Sequence, residues 1–160
     1  MFRRAARLVV VDPTDRTVLL FQYEDAGRTW WATPGGGLEG EEGFEDAARR
    51  EAVEELGVHG PVLTPLWDRT VEFSFRDVPT SQQERYFLIQ LSRRDLDVGP
   101  EVQAAYAAEG IIGVRWWLAD EIAETCERVF PEDLPHRLRE LQLSPTVAPA
   151  VASDPTRQPQ

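Results

Sequence analysis

The segment Phe44 to Leu56, FEDAARREAVEEL, has helical pattern, and Gly57 follows it as a C-terminal stop. At about 100° per residue, Phe44, Ala47, Ala48 and Ala52 form one apolar side. Glu51 and Glu55 fall in the middle of that side and Glu54 at its edge, while Glu45, Asp46 and Arg49 point elsewhere. Three carboxylates therefore face the way the core-forming residues face, which is unfavourable in itself. Glu51 and Glu55 are like charges at i,i+4, repelling by roughly 0.2–0.5 kcal/mol on an open helix. All three lie in the last turns, where the helix dipole disfavours anions by ~0.3–1 kcal/mol each, and burial adds a desolvation cost. A cation resolves the conflict. Hard divalent ions such as Mg²⁺ take oxygen ligands, and carboxylates at i, i+3 and i+4 can converge on one or two of them. The bland alternative is a solvated acidic face, the usual meaning of a charge run; the placement on the apolar side argues against it. Just upstream, Gly35, Gly36 and Gly37 let backbone approach a ligand closely and offer a carbonyl to a metal. A tight turn is their simpler reading and is compatible with that role.

The stretch from Gly35 to Val58 resembles the Nudix box, G-x5-E-x7-R-E-U-x-E-E-x-G-U, where U is a bulky aliphatic residue. Gly36, Glu42, Arg50, Glu51, Glu54, Glu55, Gly57 and Val58 fit in register, and Ala52 at the first U position is the one departure. A WATPGGGLE lead-in and a late RWWLADEI segment extend the likeness at fold level over roughly Leu8 to Leu141, although only the box is specific. The resemblance implies an α/β fold, an α/β/α sandwich with a mixed β-sheet. It also implies hydrolysis of a nucleoside diphosphate linked to another group, with Mg²⁺ or Mn²⁺. Carried onto this chain, it makes Glu51, Glu54 and Glu55 the metal-binding carboxylates, completed by the backbone carbonyl of Gly35 or Gly36. Arg50 and Glu42 resemble the pair that orients the loop and helix, and Glu54, Glu55 and Arg50 enter as catalytic residues. Members of the family draw a general base either from the box or from a loop outside it. Glu109 is the best outside candidate, with Glu101 and Glu84 behind it; the competing reading for each is a solvated loop or edge residue.

Substrate contacts are read from aromatic and basic residues. Trp30, Trp31, Trp117, Phe73 and Tyr86 include candidates for a base-stacking platform, though core burial is the commoner fate of any one. Arg28 and Arg85 are candidates to reach a phosphate, with surface charge as the alternative. Relatives that cleave ADP-ribose often carry a proline some way after the box, where Phe73 and Ser74 stand here. Those acting on dinucleoside polyphosphates often show a tyrosine nearby, which is absent. The expectation is a small-molecule nucleotide, a (deoxy)nucleoside triphosphate or oxidised purine nucleotide. Two alternatives stay open: a catalytically silent module of the same fold that senses a nucleotide, and a hydrolase of ADP-ribose or another nucleotide sugar. An acidic Ca²⁺-binding protein is disfavoured because no EF-hand spacing appears.

The rest of the chain must position these groups. It has 160 residues, 42% of them hydrophobic, as expected of one domain with a real core. Strands are expected over Ala6 to Val11, Thr17 to Tyr23, Trp30 to Thr33, Leu63 to Phe75, Arg85 to Leu91 and Ile111 to Leu118. Helices are expected over Phe44 to Leu56, Ala119 to Glu124 and Pro131 to Leu143. The domain spans 1–143, and the proline-rich 144–160 reads as a disordered tail. Net charge is −11 and all 17 basic residues are arginine, so nucleic acid and anionic membrane are poor partners. No apolar run approaches the ~18 residues needed to cross a bilayer, and Cys126 is the single cysteine. Both features lead to a cytoplasmic reading. No Ser-His-Asp or Cys-His arrangement competes; His59 and His136 lie outside the box. The resemblance makes a homodimer a reasonable expectation, and no sequence feature decides it.

Overall fold

The computed structural model describes residues 1–96 and 99–144. The tail expected over 144–160 lies outside the described residues from position 145 on. Strand β1 (Phe2–Asp12) runs through the middle of a mixed sheet. It pairs in parallel with β6 (Val78–Gln90) along its whole length, and antiparallel with β2 (Thr17–Asp25) at one end and β4 (Gly35–Gly37) at the other. Strand β5 (Thr64–Phe75) forms the edge beyond β6. On the other side β2 leads to β3 (Arg28–Ala32) and β8 (Val129–Phe130), and β7 (Ile111–Trp117) also pairs with β2.

The apolar run Leu8 to Val11 is continuous because both faces of β1 are covered. On one face Ala6, Leu8 and Val10 pack with Leu19, Phe21, Phe87 and Ile89 under α1 (Phe44–Leu56) and α2 (Pro100–Ala108). On the other, Val9 and Val11 pack with Val18, Leu20, Leu88 and Trp117 against α3 (Ala119–Glu124) and α4 (Leu134–Glu140). Helices on both faces of one mixed sheet make the α/β/α sandwich that was expected. No described helix is long and apolar enough to cross a membrane.

Helices α1 and α3 have the expected limits, and α4 is shorter than the expected Pro131 to Leu143. Helix α2 was not expected. Its only buried side chain is Tyr106, so it carries no apolar stripe; Pro100 at its start and Gly110 just after its end are the signals left. Strand β6 begins well before the expected Arg85. Its inward positions there are Thr80, Gln82 and Glu84, so a buried strand face reads as polar. The β5–β6 hairpin turns on Arg76 and Asp77, both at positive φ (49° and 62°). That matches a primed two-residue turn, made here without its usual Asn or Gly.

Candidate active site

Helix α1 is anchored by its ends and its apolar side. Glu45 and Asp46 occupy its first turn, which suits the dipole. At the other end Gly57 adopts φ 67°, and the N–H groups of Gly57 and Val58 close on the carbonyls of Val53 and Ala52. Ala47, Ala48, Ala52 and Leu56 are buried against the sheet. Glu51 and Glu55 are buried with them, only 5% and 3% exposed, while Glu54 is exposed at the rim.

These side chains meet strand β4. A cavity of about 380 Å³ is lined by Gly35, Gly36, Gly37, Arg50, Glu51, Glu54, Glu55 and Glu109, together with Arg3, Leu38 and Glu39. Arg50 is its organising cation. Its Nη2 donates to Glu42 at 2.6 Å and to the Gly37 carbonyl at 3.0 Å; its Nη1 donates to Glu51 at 3.0 Å and Glu54 at 3.2 Å. Glu42 also accepts from the Glu39 N–H at 2.8 Å. The expected Arg50–Glu42 pair is present, and it ties helix to loop. Hydrogen bonding to Arg50 holds the Glu42 carboxyl below its ordinary range.

Glu55 is held differently. Its Oε2 accepts the Gly35 N–H at 3.0 Å, and Glu109 lines the same cavity beside it. Burial first, then the charge of Glu51, then the neighbouring Glu109 push Glu55 up to about 9, against the opposing Gly35 N–H. Burial also raises Glu51, with Arg50 pulling the other way. Tyr106 donates its hydroxyl to the Glu55 backbone carbonyl, so α2 locks the end of α1 and delivers Glu109, three residues later, to the Glu55 carboxyl.

The carboxylates thus share one cavity in two pairs, Glu51 with Glu54 on Arg50 and Glu55 with Glu109. Among the described residues no three His, Cys, Asp or Glu side chains already form a cluster ready to hold a metal. The donor set nonetheless fits a hard dication. Five carboxylates face two arginines in the cavity, and all the donors are oxygen. The backbone stays clear of them: a Cβ on Gly36 would stand 2.4 Å from Glu51 Oε1.

A larger cavity, about 810 Å³, includes Arg7, whose Nη1 reaches the carbonyl of Gly35 in the acidic cavity. Trp30, Phe73, Tyr86 and Phe130 line it, and Glu84 forms part of its floor. Glu84 is therefore away from the acidic cavity, and Glu101 is exposed on the first turn of α2. Trp30 lines the larger cavity and stacks on Tyr23, with ring centroids 5.8 Å apart. Arg28 is exposed at the β2–β3 turn beside Trp30. Arg85 lines neither cavity: it pairs with Asp68 at 2.8 and 2.9 Å and lies over Phe44 on the α1 side. Trp31 and Trp117 are core, packed edge to face. Arg3, Arg7 and Arg69 were missed. Arg69 was in principle findable, since it faces Glu84 directly across the β5–β6 hairpin.

A family model, NUDIX domain, matches residues 1–138. The chain is 30% identical over 102 residues to the RNA pyrophosphohydrolase of Sphingopyxis alaskensis, a match covering 56% of this chain and 64% of that protein. It thus spans less than two thirds of that relative's length. Among solved structures it is similar to a MutT NUDIX hydrolase from Burkholderia pseudomallei, with TM-score 0.61 and 18% identity, covering 89% of this chain and 99% of the other. It is also similar to Shewanella oneidensis NrtR, solved with a 27mer DNA, with TM-score 0.59 and 20% identity over 85% of this chain and 60% of that one. At such identities the solved structures establish the fold alone.

Proposed function

The chain belongs to the NUDIX domain family, and from that premise we propose that it is a divalent-metal-dependent nucleotide pyrophosphohydrolase, with a nucleoside triphosphate as the expected substrate. The carrying observation is the charge imbalance of the smaller cavity. Glu39, Glu51, Glu54, Glu55 and Glu109 face only Arg3 and Arg50, and two of these carboxylates are buried on the core side of α1. A substrate phosphate would be repelled there unless cations accompany it.

Glu51, Glu54 and Glu55, with the carbonyl of Gly35 or Gly36, are the residues to hold Mg²⁺ or Mn²⁺. Such an ion neutralises phosphate oxygens and lowers the pKa of a bound water. The chain's own part is positioning. Arg50 fixes Glu51 against the glycine strand through Glu42 and the Gly37 carbonyl. The Gly35 N–H fixes Glu55. Glu109, beside Glu55 in the same cavity, is the candidate general base: it takes the proton of the attacking water as that water displaces the leaving phosphate or nucleotide in line. The larger aromatic cavity suits the nucleoside.

The test is a substrate panel assayed with Mg²⁺ and with EDTA, scored for phosphate against pyrophosphate release. It includes nucleoside triphosphates, their oxidised purine forms, ADP-ribose and, because one relative is an RNA pyrophosphohydrolase, RNA. Turnover that requires Mg²⁺ supports the reading. Binding without turnover would favour the nucleotide-sensing module instead.

A further inference from the structure

The floor of the larger cavity is built around a carboxylate that no ligand can use. Glu84 is only 4% exposed. Its Oε1 accepts from Gln82 Nε2 at 2.8 Å and Arg7 Nε at 3.4 Å; its Oε2 accepts from the Tyr86 hydroxyl at 2.7 Å and Arg69 Nε at 3.0 Å. Both oxygens are consumed. Burial alone would raise Glu84, yet the charge of Arg7, the Tyr86 hydroxyl, Arg69 and Gln82 hold it lowered and ionised. What this arrangement accomplishes is to fix two guanidiniums by their Nε edges.

The remaining edges are donors. Arg7 Nη1 reaches the Gly35 carbonyl at 3.4 Å, which joins this floor to the glycine strand of the acidic cavity. The terminal nitrogens of Arg69 have no hydrogen-bond partner among the described residues, and Arg69 lines the cavity. Charge decides what they face. Arg7 and Arg69 are outnumbered by Glu72, Glu84, Glu132 and Asp133 around the same cavity, so a phosphate is disfavoured there. A neutral, flat group carrying acceptors fits: the aromatic walls take its faces and the fixed guanidinium takes its edge.

Resting on the nucleotide reading above, we propose that Arg69, held by Glu84, is a specificity-determining residue that selects 6-oxopurine over 6-aminopurine bases. A 6-oxopurine presents two adjacent acceptors, O6 and N7, which a guanidinium meets in a bidentate fashion. Adenine replaces one of them with an amino donor, which would face another donor.

The experiment has two arms. In the first, kcat/KM is measured with Mg²⁺ for GTP, ITP and ATP; ITP keeps O6 and N7 but lacks the 2-amino group. Wild type is expected to prefer both GTP and ITP over ATP by about tenfold or more. Arg69→Met and Arg69→Lys are expected to bring GTP and ITP to the level of ATP, chiefly through KM. The lysine variant keeps the charge beside Glu84 and loses only the planar fork, so its folding is protected. In the second arm, binding of GMP and AMP is measured in EDTA by calorimetry, with the same preference expected and the same loss in both variants. Equal kcat/KM for the three triphosphates, or a preference that survives Arg69→Lys, overturns the proposal. If no nucleotide is hydrolysed, the pyrophosphohydrolase reading fails, and equal GMP and AMP affinity would still overturn this one separately.

Discussion

Gly35 holds Glu55 from the far side of the glycine strand: its N–H meets Glu55 Oε2 at 3.0 Å, while its carbonyl accepts from Arg7 Nη1 at 3.4 Å. One residue thus links the buried carboxylate of α1 to the floor of the larger cavity. Its backbone cannot carry a side chain, since φ is +136° and a Cβ would stand 2.2 Å from the Ala6 carbonyl oxygen.

Neighbouring glycines should therefore fail differently. Gly35→Ala meets β1 backbone and is expected to cost about 2 kcal/mol or more, read as a lower Tm. Gly36→Ala meets only the Glu51 carboxylate. It is expected to leave Tm within a few degrees while weakening Mn²⁺ binding measured by calorimetry. A Gly36→Ala protein that binds Mn²⁺ like wild type would separate Glu51 from the metal site.

The raised Glu55 makes a pH prediction. Its folded pKa, about 9, lies above the ordinary glutamate value of 4.5. Between these values the unfolded chain binds fewer protons than the folded one, so stability falls as pH rises. Melting in EDTA from pH 5 to pH 9 should show Tm declining. Glu55→Gln should flatten that decline, which distinguishes it from general repulsion in an acidic chain. A slope unchanged in the variant would contradict the assignment.

Glu84 behaves in the opposite sense. Its folded pKa is lowered, so its contribution is present above the unfolded value and is lost as pH falls through the folded one. Glu84→Ala should leave Arg7 and Arg69 without the buried carboxylate that both bond. An expected loss of about 2–3 kcal/mol, at the low end because both arginines retain some solvent contact, is checked by urea denaturation at pH 7.

Tyr106 tests the bracing of Glu109. Tyr106→Phe removes the hydroxyl that holds the Glu55 carbonyl and should cost about 1 kcal/mol. If α2 positions Glu109 for proton transfer, kcat should fall while KM stays close to wild type. A Tyr106→Phe enzyme with full kcat and only lower Tm would reduce Tyr106 to a structural brace.

Much of the fold and of the smaller cavity is legible in the sequence, for identifiable reasons. Helix α1 declares itself through its alanine side, its acidic start and Gly57, so residue spacing alone puts Glu51 and Glu55 on the core face. Strands β1 and β2 declare themselves through β-branched runs covered on both faces. What stays hidden depends on pairing at a distance. Buried Thr80, Gln82 and Glu84 disguise the start of β6, and the floor network exists only because β5, β6 and β1 lie side by side. Helix α2 fully buries only Tyr106, with Val102 half-buried on the same core, so the placement of Glu109 beside Glu55 has little periodic signal. Arg85 looks available for a phosphate in the sequence, but the strand alternation turns it to the α1 face and into the pair with Asp68.

The central claim is that the α1 glutamates support metal-dependent hydrolysis. The most direct measurement is Mg²⁺-dependent turnover by wild type, Glu54→Gln and Glu55→Gln on the best substrate of the panel, with circular dichroism as the check on folding. The account predicts folded variants whose kcat is lower by about a hundredfold or more. Wild-type turnover in either folded variant would contradict it.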